Sequence, residues 1–262
     1  MRAKGVVLAG ALVLATGCPG KATVAPLDGP VYTNVLLAKE DEVFRHGKGL
    51  DASGAQVRLA ALRPDESVVV RAQARAKVGA PADLAGFVHA PRSEGEVVTT
   101  TVRGAGPGPF DEQLAAFGYK PKTVEEGLAV VLAELDEDDF NGIGIACIPD
   151  HYSVCVAHRS WPVVTFSLDN VVERDTIHEV VQALAAQCLA NKSLLGFGKV
   201  VRVVLGGEVA SKDRRVDHFR DELAKVKLPF AVSQPTVART PESALARGAL
   251  VAARADKDNR GD

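Results

Sequence analysis

Three short apolar runs, residues 142–148, 153–157 and 163–168, follow one another with only residues 149–152 and 158–162 between them, the second turn at Arg159-Ser160-Trp161. They are rich in Val and Ile and too short for helices, so they predict an antiparallel meander. Downstream the pattern changes period. Val172, Ile177, Val180, Val181, Leu184 and Cys188 fall at helical spacing within residues 171–189. Residues 200–205 form a β-branched run that ends on Gly206 and Gly207. Val216, Phe219, Leu223 and Val226 give residues 212–225 an apolar stripe. Residues 230–232 read as extended. Thr240-Pro241-Glu242 then opens a last helix to about residue 253, with Thr240 as cap and Pro241 at the first helical position. The order strand-strand-strand-helix-strand-helix-strand-helix is that of an α/β domain whose meander feeds a wound sheet.

The first half reads as mostly strands: residues 31–38, 43–46, 57–62, 67–74, 87–90 and 97–102. A helix is expected from Phe110 to a stop at Gly118. Thr123-Val124-Glu125-Glu126 has the form of a capping box, with Thr123 as cap and Glu126 reaching back, for a helix to about residue 135. The acidic residues Asp136, Glu137, Asp138 and Asp139 read as a solvated loop.

Lys plus Arg number 31 and Asp plus Glu 33, so the basic excess of a nucleic-acid-binding surface is missing. At the N-terminus, Arg2 and Lys4 precede an apolar stretch, residues 5–16, and then Ala15-Thr16-Gly17-Cys18. This is the composition of a secretory signal. It resembles a bacterial lipoprotein signal, which implies a lipidated Cys18 as the first mature residue; Leu14 stands one place earlier than such signals have it. Residues 19–30, rich in Pro, Gly and Ala, read as a tether. The expected organisation is a signal over 1–18, a tether over 19–30, a first lobe over 31–135, a second over 136–254 and a frayed tail over 255–262. Cys147 and Cys155 flank a hairpin turn, and a disulfide between them is open on sequence grounds; Cys188 reads as a small buried hydrophobe.

Four stretches in order resemble the second half of actin-like ATPases and heat-shock chaperones, from Phe110 to Ala253. They are the helix Val124-Glu125-Glu126-Gly127-Leu128-Ala129, the hairpin Ala146-Cys147-Ile148-Pro149-Asp150-His151-Tyr152-Ser153, the turn Gly206-Gly207-Glu208-Val209-Ala210-Ser211, and the ending Thr240-Pro241-Glu242 through Ala246-Arg247-Gly248-Ala249. The resemblance implies a two-lobed, ribonuclease-H-like fold of the actin, chaperone and sugar-kinase superfamily. Its first lobe would be β-rich and reduced, its second a meander plus wound sheet. It also implies adenosine-side contacts at Gly206, Gly207 and Ser211.

The departures weigh against chemistry. The family's phosphate loop, Asp-x-Gly-Gly-Gly-Thr-Thr-Asp, holds magnesium and phosphate. Here Ala146 stands in place of its Asp, and Ile148, Pro149 and Asp150 in place of its glycines. A branched side chain, a missing N–H and a negative charge all oppose a triphosphate. The other phosphate loop is only echoed, in Asp28-Gly29-Pro30-Val31-Tyr32-Thr33-Asn34. The expected protein is therefore a non-catalytic binding or scaffold lipoprotein of the bacterial envelope. It would face the periplasm, from the outer membrane rather than the inner, with an envelope protein as partner and no cofactor. Trp161, beside Pro162 at a hairpin tip, is a candidate partner contact. The alternative is a cytoplasmic ATPase or small-molecule kinase using ATP and magnesium. A third class, a hydrolase, rests on the proximity of Asp150, His151 and Ser153. His158 and His178 have no metal-ligand spacing.

Overall fold

The computed structural model describes residues 32–33, 44–65, 67–78, 81–89, 94–134, 141–158, 161–170, 176–197 and 200–256. The expectations for Cys18, the signal and tether, the acidic loop 136–139 and the end of the tail lie outside these residues, as does the Asp28–Asn34 echo apart from Tyr32 and Thr33.

The first lobe contains β1 (Tyr32–Thr33), β2 (Lys48–Asp51), β3 (Gln56–Leu62), β4 (Val68–Ala74), α1 (Arg75–Val78), α2 (Pro81–Val88), β5 (Val97–Val102), α3 (Asp111–Ala116), β6 (Lys120–Glu125) and α4 (Glu126–Ala133). The second contains β7 (Gly142–Cys147), β8 (His151–His158), β9 (Trp161–Asp169), α5 (Thr176–Ala190), β10 (Arg202–Gly206), α6 (Arg215–Leu223), β11 (Thr236–Val237) and α7 (Ala244–Ala255), which a 3-10 turn, Pro241–Ser243, introduces.

The sheets run β1-β4-β3-β2-β5-β6 and β11-β10-β7-β8-β9. Apart from β1, the two orders are the same. In each lobe a central strand (β2 or β7) pairs antiparallel with the strand that follows it, and that strand antiparallel with the third. The central strand also pairs in parallel with the fourth strand, and the fourth with the fifth. Helical segments cross over after the third and fourth strands of each lobe, as parallel pairing requires. The chain therefore uses one topological unit twice.

Each unit ends in a helix that leaves its own sheet for the other lobe. Helix α4 packs on β7 and β8, α7 packs on β2 and β5, and the two helices pack on each other. Glycines make this contact possible. A Cβ at Gly248 would lie 1.8 Å from the carbonyl oxygen of Ala129, and one at Gly49 2.1 Å from that of Ala246. In the second lobe the larger core lies between the sheet and α5 and α6, where Ile177, Val180, Val181, Leu184, Cys188 and Phe219 meet Ile143, Ile145, Val203 and Leu205.

Several expectations need correction. Residues 81–88 are helix, although 87–90 read as strand: Pro81 starts the turn, and Leu84, Phe87 and Val88 share a buried helical face. Residues 44–47 are irregular and the strand begins at Lys48. The expected capping box does not form. Thr123 and Glu125 belong to β6, paired with Thr100 and Val102 of β5, so the parallel ladder claims the residues that would have capped. Thr240 precedes a 3-10 turn without a side-chain cap and instead accepts a hydrogen bond from Arg247, at 2.7 Å.

Candidate functional site

Each hairpin turn lies near the other lobe: Ala55 of the first meets Glu208, and Asp150 of the second feels the charge of Arg103. Asp51 and Cys147 are the last paired residues before these turns. The first turn begins Asp51-Ala52-Ser53-Gly54-Ala55. Asp51 is 2 % exposed. Its Oδ1 accepts from the Ser53 N–H (3.0 Å), the Ser53 hydroxyl (2.6 Å) and the Thr101 hydroxyl (2.9 Å). This is an Asx turn closed on itself. The sequence signal is an Asp followed by Ser and Gly ahead of the apolar run of β3.

The second turn is built differently. Ile148 is buried, and its N–H donates to the His151 carbonyl at 3.0 Å. Pro149 has no N–H. Ala146 is buried in a cluster with Val130, Val204, Ala244 and Leu245. His151 is held from both sides: Nε2 lies 2.5 Å from Glu126 Oε2, and Nδ1 lies 2.7 Å from Asp150 Oδ1. The His151 and Glu126 side chains are 5 % and 3 % exposed, whereas Asp150 is 75 % exposed. Burial opposes the charged imidazole, but hydrogen bonding and attraction from Glu126 and Asp150 outweigh it, and the His151 pKa is raised. Burial likewise pushes Asp150 up, yet the hydrogen bond from His151 and its charge bring it below its usual range. Ser153 accepts from the Gly127 N–H at 3.2 Å. The Ser, His and Asp are near one another, but both imidazole nitrogens face carboxylates and Ser153 serves the start of α4. They do not form a nucleophile–base arrangement. Glu126, expected to cap, is the buried partner of His151.

The turn after β10 carries the residues expected at an adenosine. A Cβ at Gly206 would lie 2.9 Å from Val130 Cγ2 and from Ala244 Cβ. Gly207 has φ +103°, and a Cβ there would lie 2.7 Å from the Cys147 carbonyl oxygen. Packing against α4, α7 and β7 thus requires both glycines. The Gly207 N–H donates to the Pro241 carbonyl (2.7 Å), and the Val209 N–H to the Cys147 carbonyl (3.2 Å). Ser211 is exposed further along the turn.

Side chains from both lobes meet across the cleft. Glu208 Oε2 accepts the Ala55 N–H at 3.0 Å and lies 4.0 Å from Arg58, which is also 4.0 Å from Glu242. On the other flank Arg103, after β5, pairs with Asp169 at 2.6 Å. The loop after the fourth strand of each lobe therefore reaches the opposite lobe, with a carboxylate in one case and a guanidinium in the other. Sequence reading missed both contacts. Arg103 and Asp169 are 39 % and 74 % exposed, so that pair contributes little stability by itself.

Cys147, Cys155 and Cys188 are free and buried. Cys147 pairs with Tyr152 and Cys155 with Gly144, so the two cysteines point to opposite faces of the sheet and no bridge joins them. Burial pushes the Cys147 and Cys188 thiols up to about 12. Trp161 is 59 % exposed at the head of β9, the edge strand. Among the described residues there is no cluster suited to a metal ion.

Two lobes of one strand order, joined by exchanged helices around a cleft, define the actin-like ATPase fold. The family described as Volactin matches residues 78–175, which span both lobes. AlfA from the B. subtilis plasmid pLS32, in its filament structure, superposes with TM-score 0.50 at 9% identity, over 79% of this chain and 98% of AlfA. A ROK family protein from Streptococcus pneumoniae TIGR4, solved in complex with sucrose, superposes with TM-score 0.50 at 13% identity, over 81% of this chain and 99% of that one. The chain has the two-lobed α/β fold of the actin-like ATPases. No curated protein matches its sequence.

Proposed function

We propose that this chain is a non-catalytic binding or scaffold protein of the bacterial envelope. In this reading Cys18 carries the lipid anchor, the fold faces the periplasm from the outer membrane, and the partner is another envelope protein. The supporting observation is the β7–β8 turn: Ile148 fills the core and uses its N–H within the hairpin, Pro149 offers no donor, and Asp150 adds an exposed carboxylate. A turn of this kind disfavours polyphosphate. Trp161, exposed at the sheet edge, is the proposed partner contact. The test is calorimetric titration of the purified chain with ATP and magnesium. The expected result is no saturable binding; micromolar affinity would refute the reading. Mass spectrometry of the mature N-terminus tests the anchor, with a diacylglyceryl group on Cys18 expected.

One observation favours a second reading, an ATPase or small-molecule kinase of the cytoplasm using ATP and magnesium at Gly206, Gly207 and Ser211. Asp51 is a buried carboxylate at the end of β2, just ahead of a turn that contains Ser53 and Gly54. Fractionation separates the readings: a cytosolic chain with residues 1–18 intact supports the kinase class.

A further inference from the structure

The second lobe satisfies the Ala55 N–H of the first turn. Asp51 closes the earlier part of that turn on Ser53 and Thr101. At Ala55 the acceptor is Glu208, 153 positions away and in the other lobe. Its loop is held by the Gly207 N–H on Pro241 and the Val209 N–H on Cys147. The Glu208 side chain is 18 % exposed, and the neighbouring Arg58 side chain 5 %. Gly54 leaves it room, since a Cβ there would lie 2.1 Å from Glu208 Oε2. A backbone N–H, a small residue and a buried guanidinium together make a site for an anion, and the chain fills it with its own carboxylate.

We propose that Glu208 is an internal anion that plugs the Ser53–Ala55 turn and holds the cleft shut, as an autoinhibitory contact. It rests on the non-catalytic reading above and gives that reading a device. A phosphoryl or carboxylate group that reaches the turn must displace Glu208, and displacement releases the second lobe's loop from the first lobe. Anion arrival and lobe opening are thereby one equilibrium.

The experiment uses the mature chain in detergent, with inorganic pyrophosphate as probe. Amide hydrogen exchange and the NMR shift of the Ala55 N–H are the readouts. In the wild type, exchange at Ala55 is slow and pyrophosphate leaves the shift unchanged. In Glu208→Ala, exchange rises at least tenfold and pyrophosphate moves the shift saturably. Gly54→Ala, whose new Cβ pushes the carboxylate off, behaves like Glu208→Ala. Glu242→Gln, on the far side of Arg58, behaves like the wild type. Equal pyrophosphate shifts in wild type and Glu208→Ala overturn the proposal, as does unchanged exchange in both Glu208→Ala and Gly54→Ala. The outcomes separate the two claims. ATP binding to the wild type with an undisturbed Ala55 N–H defeats the non-catalytic reading alone. Silent ATP titration with a plug that makes no difference defeats this proposal alone.

Discussion

The two lobes share a strand order but place their most deeply buried ion pairs at opposite ends. In the first lobe Lys48, the first residue of β2, donates to Glu96 (3.1 Å) and to the Tyr119 hydroxyl (2.6 Å), and Tyr119 donates to the His89 carbonyl (2.6 Å). Burial and the Glu96 charge push the Tyr119 phenol well above its usual range, so it stays a donor. In the second lobe the buried pair is Glu126–His151, at the cleft end, and it joins the last helix of one lobe to the hairpin of the other. The contrast teaches that one topology constrains packing but not where polar groups are sheltered. The first lobe locks its own base with charge, whereas the second ties itself to its neighbour with a group that titrates.

The largest expected effect breaks the first of these. The Lys48 and Glu96 side chains are 1 % and 0 % exposed. Lys48→Met leaves a carboxylate buried without its cation, and should lower stability by about 3–5 kcal/mol. Urea denaturation measures it. Lys48→Met combined with Glu96→Leu should recover most of the loss, because no lone charge then remains.

Next comes the seam between the lobes. Gly248→Ala drives a Cβ to within 1.8 Å of the Ala129 carbonyl oxygen, a backbone atom that cannot turn aside. Overpacking of this kind costs about 1–3 kcal/mol. Because α4 and α7 each pack on the other lobe's sheet, the damage should appear in both lobes: hydrogen exchange should accelerate in β2 and in β7 alike. Acceleration confined to one sheet would mean that the lobes are stabilised independently.

The third prediction concerns pH. His151 has a raised folded-state pKa. Its contribution to stability is therefore fully present below the unfolded value, about 6.5, and is lost as pH rises through the folded value. His151→Gln should remove that segment of the stability–pH curve. The first-lobe network, whose phenol is pushed upward and whose cation is a lysine, should show no such loss over the same window. A curve for His151→Gln parallel to the wild type would mean that Glu126 and Asp150 do not hold the imidazolium.

Much of this architecture is legible in the chain itself. The meander of residues 142–168 and the later helix-strand alternation are carried by local period, β3 by its apolar run, and β4 and β5 by their Val-rich runs. What escaped needed either a wider local window or a partner far away. Residues 87–90 look like a strand until Pro81 and Leu84 are read with them as one helical face. Thr123-Val124-Glu125-Glu126 has the letters of a cap, but the ladder with β5 takes them first. The duplication is invisible because Asp51-Ala52-Ser53-Gly54 and Cys147-Ile148-Pro149-Asp150 share a place and no chemistry. At the site, the Gly206 and Gly207 turn was legible from its glycines. The Glu208 contact with Ala55 was not, since no local pattern records a partner in the other lobe.

The smallest expected effect sharpens the same contrast, with one substitution made in a helix of each kind. Gly86 lies in α2, within the first lobe, and a Cβ there would meet nothing within 4 Å. Gly127 lies in α4, on the seam, where a Cβ would come within 2.6 Å of the Cys155 backbone nitrogen. Alanine restricts the unfolded chain relative to glycine in both places, a gain of about 0.5–1 kcal/mol when the helix accepts it. Gly86→Ala should show that gain as a higher urea midpoint with an unchanged slope. Gly127→Ala should show the opposite sign, because α4 must retreat from β8 and its Ser153 contact must lengthen. Gains of equal sign at both positions would mean that the seam has slack and that the glycines there answer to something other than close approach.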